Sequence, residues 1–319
     1  MKTILMNSAV VLSMASLAAA AEEMSSSFSW GNVQFQPRAY VGYADYNLKG
    51  GPVTFTTTVD PQPQVGTVNL ALPGRDKISF SGLIWGIGGT VASGRFFGDI
   101  YYQATPNETA YSGIQFQDSE DGLNFDNSLG DVEAKHADWA LSLGYLITDQ
   151  WSVFAGYKSG KTDWDQSAFV SVIEDPSVYQ NATLDEQFTQ DGPFLGTSYS
   201  FPIGPGTLTL KAAYAYLDGT FKWNFDSTIF GLPGGDLPRT RYYNLDGNSN
   251  AYSLGVSWTQ ALADNLGFSI GANYHNYDFD LSGSSAETVA GSPKPPQTIH
   301  KFSLTEELLT ITASIFYRF

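Results

Sequence analysis

The sequence predicts an all-β chain that closes into a single transmembrane antiparallel up-and-down barrel, and three observations carry that prediction. Apolar residues alternate with small or polar ones at period two along segment after segment, the signature of strands with two unlike faces. Beyond residue 21 no apolar run approaches the ~18 residues that a membrane-crossing helix needs. Tight turns alternate with long connections rich in Gly, Pro, Asn and Asp, as in barrels whose hairpins are short on one side and long on the other.

The alternation is clearest in five places. Trp139, Leu141, Leu143 and Tyr145 interleave with Ala140, Ser142 and Gly144. Trp151, Val153, Ala155 and Tyr157 interleave with Ser152, Phe154, Gly156 and Lys158. The same rhythm runs through Leu208–Tyr216, Tyr252–Trp258 and Leu266–Tyr274. A soluble sandwich would set an apolar face against a charged one. Here the second face is Gly, Ser, Thr and Ala with isolated charges, which suits a narrow lumen.

The last stretch, Leu309-Thr-Ile-Thr-Ala-Ser-Ile-Phe-Tyr-Arg-Phe319, alternates in the same way and ends its apolar face in Tyr317 and Phe319. This segment resembles the C-terminal assembly signal of Gram-negative outer-membrane β-barrel proteins, which closes on an aromatic residue. The resemblance implies insertion by the barrel assembly machinery into an outer membrane, with outer-membrane lipid and lipopolysaccharide as surroundings. It fits the N-terminus: Lys2, an apolar stretch from Ile4 to Leu17, and Ala18 to Ala21 before Glu22 read as a cleavable secretory signal over 1–21. Residues 22–319 are then one barrel domain.

About ten strands are expected, near 36–48, 77–91, 95–104, 136–147, 151–163, 192–202, 207–221, 249–258, 266–279 and 304–319. Ala92–Gly94, Thr148–Gln150, Ile203–Gly206 and Gln260–Asn265 supply the short turns, assigned to the periplasmic side. The connections around 49–76, 105–135, 164–191, 222–248 and 280–303 are expected as long extracellular loops, leaving both termini periplasmic. Thr54–Val59 and Thr67–Ala71 read as a hairpin projecting above the membrane; counted in the wall instead, they would raise the strand number to twelve.

Composition narrows the functions. A formal charge of −16 opposes nucleic acid, whose phosphates need a basic surface. The absence of cysteine removes disulfides, thiolate metal sites and thiol nucleophiles. The acidic run Asp118, Glu120, Asp121, Asp126, Asp131 and Glu133 lacks the spacing of a calcium loop and reads as a solvated loop. No metal site and no cofactor are expected.

Parity turns Arg38, Arg95, Asp99, Lys158, Lys211, His275, Glu306 and Arg318 inward, with the three arginines near the periplasmic mouth. Ten strands lie close to the size at which side chains fill the lumen. Two readings follow: a buried network of ion pairs and hydrogen bonds that plugs the bore, or a cationic constriction selecting anions. An enzyme at the rim would draw on His275, with Asp278 and Asp280 beyond it and Asp163 and Asp165 across the mouth. Omptin proteases place an Asp-x-His step there; this chain has Asn273-Tyr274-His275, and it lacks the Ser/His/Asn set of the outer-membrane phospholipases. The expected function is therefore a non-enzymatic barrel, either a small porin-like channel passing a small solute or a structural barrel with working extracellular loops. A loop-based adhesin or receptor for an extracellular ligand is the alternative, with Phe169, Tyr179, Phe188, Phe230, Tyr242 and Tyr243 as anchors, and the rim hydrolase a second.

Overall fold

A computed structural model describes residues 33–319 apart from 60–61, 70–76, 112–113, 121–122 and 174. The signal segment 1–21, Ala71 and Asp121 lie outside the described residues, as do the side chains of Asp118, Glu120, Asp126 and Asp131.

The strands are β1 (Gln34–Val59), β2 (Gln62–Asn69), β3 (Lys77–Ser93), β4 (Phe96–Ala104), β5 (Glu108–Tyr111), β6 (Ile114–Glu120), β7 (Leu123–Leu146), β8 (Trp151–Val172), β9 (Tyr179–Ile203), β10 (Gly206–Phe230), β11 (Leu237–Ala263), β12 (Leu266–Val289), β13 (Ser292–Pro293) and β14 (Gln297–Tyr317). Ten of them close a ring: β1, β3, β4, β7, β8, β9, β10, β11, β12 and β14 each pair antiparallel with two ring neighbours, β14 joining β12 back to β1. The projecting hairpin exists: β2 pairs the far end of β1, with Thr54 opposite Thr67. It stays out of the wall, so the ring has ten staves rather than twelve. At the end holding the C-terminus the connections are tight, and Gly94 and Gly204 take φ of 65° and 61° there, a backbone region that glycine enters without steric cost.

The strands run well past their expected ends. Residues 164–172, 179–191, 222–230, 237–248 and 280–289 were expected in loops and are strand. β11 shows why. Going up from the turn end, its outward residues are Trp258, Val256, Leu254 and Tyr252, then Asn250, Asn248, Asp246 and Asn244. Its inward residues are Thr259, Ser257, Gly255 and Ser253, then Ala251, Ser249, Leu245 and Tyr243. The strand is continuous, but its greasy face changes sides. A search for one alternating phase loses the strand where the phase flips.

On the ring strands that run past the belt, all but β4, the same inversion separates two zones. In the turn-end zone a belt of exposed apolar side chains faces out, including Val41, Ile87, Ile100, Leu143, Leu195, Leu254 and Ile315. Aromatics border the belt on both sides. Phe96 packs on Tyr145 and Trp258 on Phe268 at the lower edge. Six residues up the same strands, Tyr102 packs on Trp85 and Tyr252 on Tyr274; six residues is about 20 Å of strand. In the distal zone the interior is an ordinary apolar core. Tyr46, Leu48, Phe80, Trp164, Phe188, Leu217, Phe221, Leu245, Phe279, Phe302 and Leu304 are buried together there. Each such side chain removed from water contributes roughly 1.5–3 kcal/mol.

Candidate functional site: the lumen

Within the belt zone the lumen is polar, and its layers follow from which inward residues meet. Nearest the turns, Ser and Thr hydroxyls satisfy one another between adjacent strands: Ser152 with Ser198 at 2.7 Å, Ser200 with Thr209 at 2.9 Å, Thr259 with Ser269 at 2.7 Å. Above them the Arg38 guanidinium grips Asp99 with Nη1–Oδ1 2.6 Å and Nη2–Oδ2 2.9 Å, and Thr90 donates to the same carboxylate at 2.6 Å. Next, the Lys158 ammonium donates to the Tyr277 hydroxyl at 2.7 Å, while His275 Nδ1 sits 2.7 Å from Ser253 Oγ and 3.0 Å from the same Tyr277 oxygen.

Two further groups close the polar zone. His136 Nδ1 lies 2.8 Å from Thr162 Oγ1 and its Nε2 lies 3.2 Å from Asp138 Oδ2, with Gln103 donating to that oxygen at 2.8 Å. Gln190 donates to both oxygens of Glu306, at 2.9 and 2.8 Å. Thr162, His136 and Asp138 have the connectivity of a nucleophile–base–orienter relay. All three are only 1% exposed, and Tyr46 occupies the remaining side of Thr162 at 2.9 Å. The relay faces protein on that side.

Of the inward residues expected from parity, Arg38, Asp99, Lys158, His275 and Glu306 are buried in these layers. The Lys211 ammonium is buried as well, without a hydrogen-bond partner. Arg318 is half-buried at the turn end, its guanidinium 5.4 Å from the Phe316 ring centre. Arg95 is the correction. It is exposed and donates to the Ile147 carbonyl at 3.1 Å. It occupies the two-residue turn after Ser93, where the in–out alternation of strands lapses. Phe319 donates its backbone N–H to Phe35 and stacks near it, and Tyr317 packs against Phe319 at 4.8 Å.

His136, Asp138, Gln103 and Gln190 were missed by the sequence reading. The first three share the inward parity of Ala140 and Asp99 and were open to the same argument; Gln190 sat in a stretch taken as loop. Glu186 was missed for the same reason. It is buried in the distal core, opposite Trp164 and Trp223 in register, with neither carboxyl oxygen in hydrogen-bond geometry. Burial pushes its pKa up to about 8, the two indoles opposing this only in part.

The rim acids do not meet a histidine. Asp278 and Asp280 point outward, accepting from Thr305 and Ser303, while His275 points into the lumen. Asp163 also faces outward, paired with Lys161 at 2.8 Å. Among the described residues no cluster of His, Cys, Asp and Glu is arranged to hold a metal. Of the six expected loop aromatics, Phe188 and Tyr243 are in the core, whereas Phe169, Tyr179 and Phe230 form an outward ladder with ring centres 5.7 and 4.9 Å apart.

The fold and the site together define a ten-stranded closed barrel with an apolar belt outside and a bore largely occupied by side chains. No family profile matches the chain, and no curated protein matches it. Among solved structures it is similar to the outer membrane protease OmpT of Escherichia coli, with a TM-score of 0.60 at 12% identity over 92% of this chain and 99% of that one. It also aligns with a FadL homologue of Pseudomonas aeruginosa, TM-score 0.34 at 10% identity over 89% and 90% of the two chains. The outer membrane protein OprG of the same bacterium gives a TM-score of 0.29 at 12% identity over 87% and 97%. The likeness to OmpT is one of fold.

Proposed function

We propose that the chain is a non-enzymatic outer-membrane barrel of a Gram-negative bacterium, closed to solute passage, which holds a rigid β-walled stalk above the lipid with both termini periplasmic. The observation that carries this reading is the inversion of polarity along continuous strands. An apolar exterior around a polar interior is stable in lipid, where charge and backbone polarity must be satisfied internally. A polar exterior around an aromatic core is stable in water. The boundary between them, at Tyr102, Trp139, Tyr157, Tyr252 and Tyr274, is where the outer interface would fall.

The same observation favours a structural barrel over a porin-like channel. Trp164, Phe188, Phe221, Phe279 and Phe302 meet inside the distal zone, with Phe188 4.9 Å from Phe279 and Phe221 5.5 Å from Phe302. Ion passage would need that core to open. Planar-bilayer recording of the refolded protein tests it: the expected trace is flat, and discrete ion-selective steps would refute the closed-barrel reading.

A second reading, a surface adhesin or receptor, is favoured by the outward ladder of Phe169, Tyr179 and Phe230, since exposed aromatics supply contact area at low entropic cost. Replacing all three with Ser should abolish cell attachment while leaving the barrel folded. Unchanged attachment would remove this reading.

A further inference from the structure

Between the Arg38–Asp99 layer and the aromatic core the lumen is not full. A cavity of about 80 Å³ remains, lined by Lys158, Lys211, Asn273, Ser253, Phe154 and Phe194 among others, several times the space one water needs. We infer that this cavity is a binding site for a small organic carboxylate, held by the Lys211 ammonium.

The argument is one of charge and of walls. Lys211 on β10 carries a buried ammonium with no hydrogen-bond partner, and a charge in that position is unstable unless something compensates it. Of the ionisable groups that face the cavity with it, Asp99, Lys158, His275 and Tyr277 are committed elsewhere. Asp99 takes two bonds from Arg38 and one from Thr90. Lys158 is bonded to Tyr277, and His275 lies between Ser253 and that same Tyr277 hydroxyl. The unsatisfied group is therefore a basic amine, which holds its charge best with an anion beside it, and the ligand it calls for is an anion. Asn273 and Ser253 stand beside it with polar side chains on β12 and β11.

The rest of the lining decides what kind of anion. The rings of Phe154 and Phe194, edge-on at 6.3 Å, and the methyls of Ala140, Ala213 and Ala215 make the wall mainly apolar. Such a wall suits the body of a butyrate- or benzoate-sized molecule better than a fully hydrated phosphate. The distal aromatic core borders the cavity on its far side, sharing Ala215 and Tyr277 with its lining, which sets the site apart from a stage in conduction.

The test uses full-length mature protein refolded from urea into detergent without carboxylates. Its unfolding temperature is read at constant ionic strength against acetate, butyrate and benzoate, with butanol and benzyl alcohol as neutral controls. Expected is a saturable rise, on the order of 3 °C for the best carboxylate, absent with the alcohols. Lys211→Met should lose the rise while folding normally, since an apolar side chain of similar length suits that wall. Ala213→Phe should lose it with the charge intact, and Lys161→Met, on the outer wall, should keep it. No carboxylate-specific rise in the wild type, or an equal rise in Lys211→Met, would overturn the site.

Discussion

Arg38 on β1 and Asp99 on β4 form a two-pronged ion pair across the strand that separates them. The intervening residue is Gly88 of β3, the register partner of Arg38 and of Tyr101. A Cβ there would stand 3.0 Å from Arg38 Nη2 and 2.6 Å from the Ile100 carbonyl, so the guanidinium crosses β3 only because position 88 has no side chain. Two residues along the same strand, in the same way, a Cβ on Gly86 would collide with the Tyr40 ring.

Removing one partner of this pair should be costly. Asp99→Leu leaves a buried guanidinium without its carboxylate, and such single removals cost about 3–5 kcal/mol. The double variant Arg38→Met, Asp99→Leu should recover most of that loss. Urea unfolding of the four proteins in detergent gives the cycle; a double variant no more stable than Asp99→Leu would contradict the account.

The aromatic core should behave like that of a soluble protein. Phe302 is fully buried against Phe221, and Phe302→Ala should cost about 3–5 kcal/mol through lost transfer energy and the cavity left behind. Phe221→Ala should cost a similar amount, with the two losses less than additive because the rings share one contact. Heat-induced unfolding, followed by gel mobility, reports both.

How far the sequence was legible depends on which zone a residue occupies. The belt zone was readable because its outward face is uniform: Trp139, Leu141, Leu143 and Tyr145 declare a strand with little competition. Turn positions were readable for the same reason, as at Gly94 and Gly204. The distal zone was not. There Tyr243 and Leu245 carry the apolar phase on the parity opposite to that of Leu254 and Val256, and Asp, Asn and Thr on the other face resemble loop composition. Parity also found most of the lumen charges, but it assigned Arg95 inward because it has no means of marking where a strand yields to a turn. The pairing of Arg38 with Asp99 required knowing that β3 lies between them and offers a glycine, which is a fact of register.

Glu186 should make stability depend on pH. Its folded pKa is raised to about 8, against about 4.3 for an unperturbed glutamate. The folded protein thus holds a proton that the unfolded chain releases. The contribution is fully present below the unfolded pKa, declines as pH rises between those values, and is gone above the folded one. The loss is on the order of a few kcal/mol. Glu186→Gln should flatten this part of the profile without raising stability at pH 4. An identical slope in wild type and variant would show that the carboxyl is not buried as described.

The height of the polarity switch can be located on a single strand. Leu254 and Asn248 both face outward on β11 and both are exposed, but they lie on opposite sides of Tyr252. Arginine at position 254 would put a charge in hydrocarbon, at about 2–4 kcal/mol if that level is near the midplane. Arginine at position 248 would stand in water, and surface changes of that kind are usually within about 0.5 kcal/mol. In liposomes the two variants should therefore separate by at least about 2 kcal/mol in folding free energy, and in mixed detergent micelles thin enough to wet the belt the gap should shrink. Equal penalties at the two positions would mean that lipid does not end at Tyr252, and that the inversion along β11 reflects something other than a change of solvent.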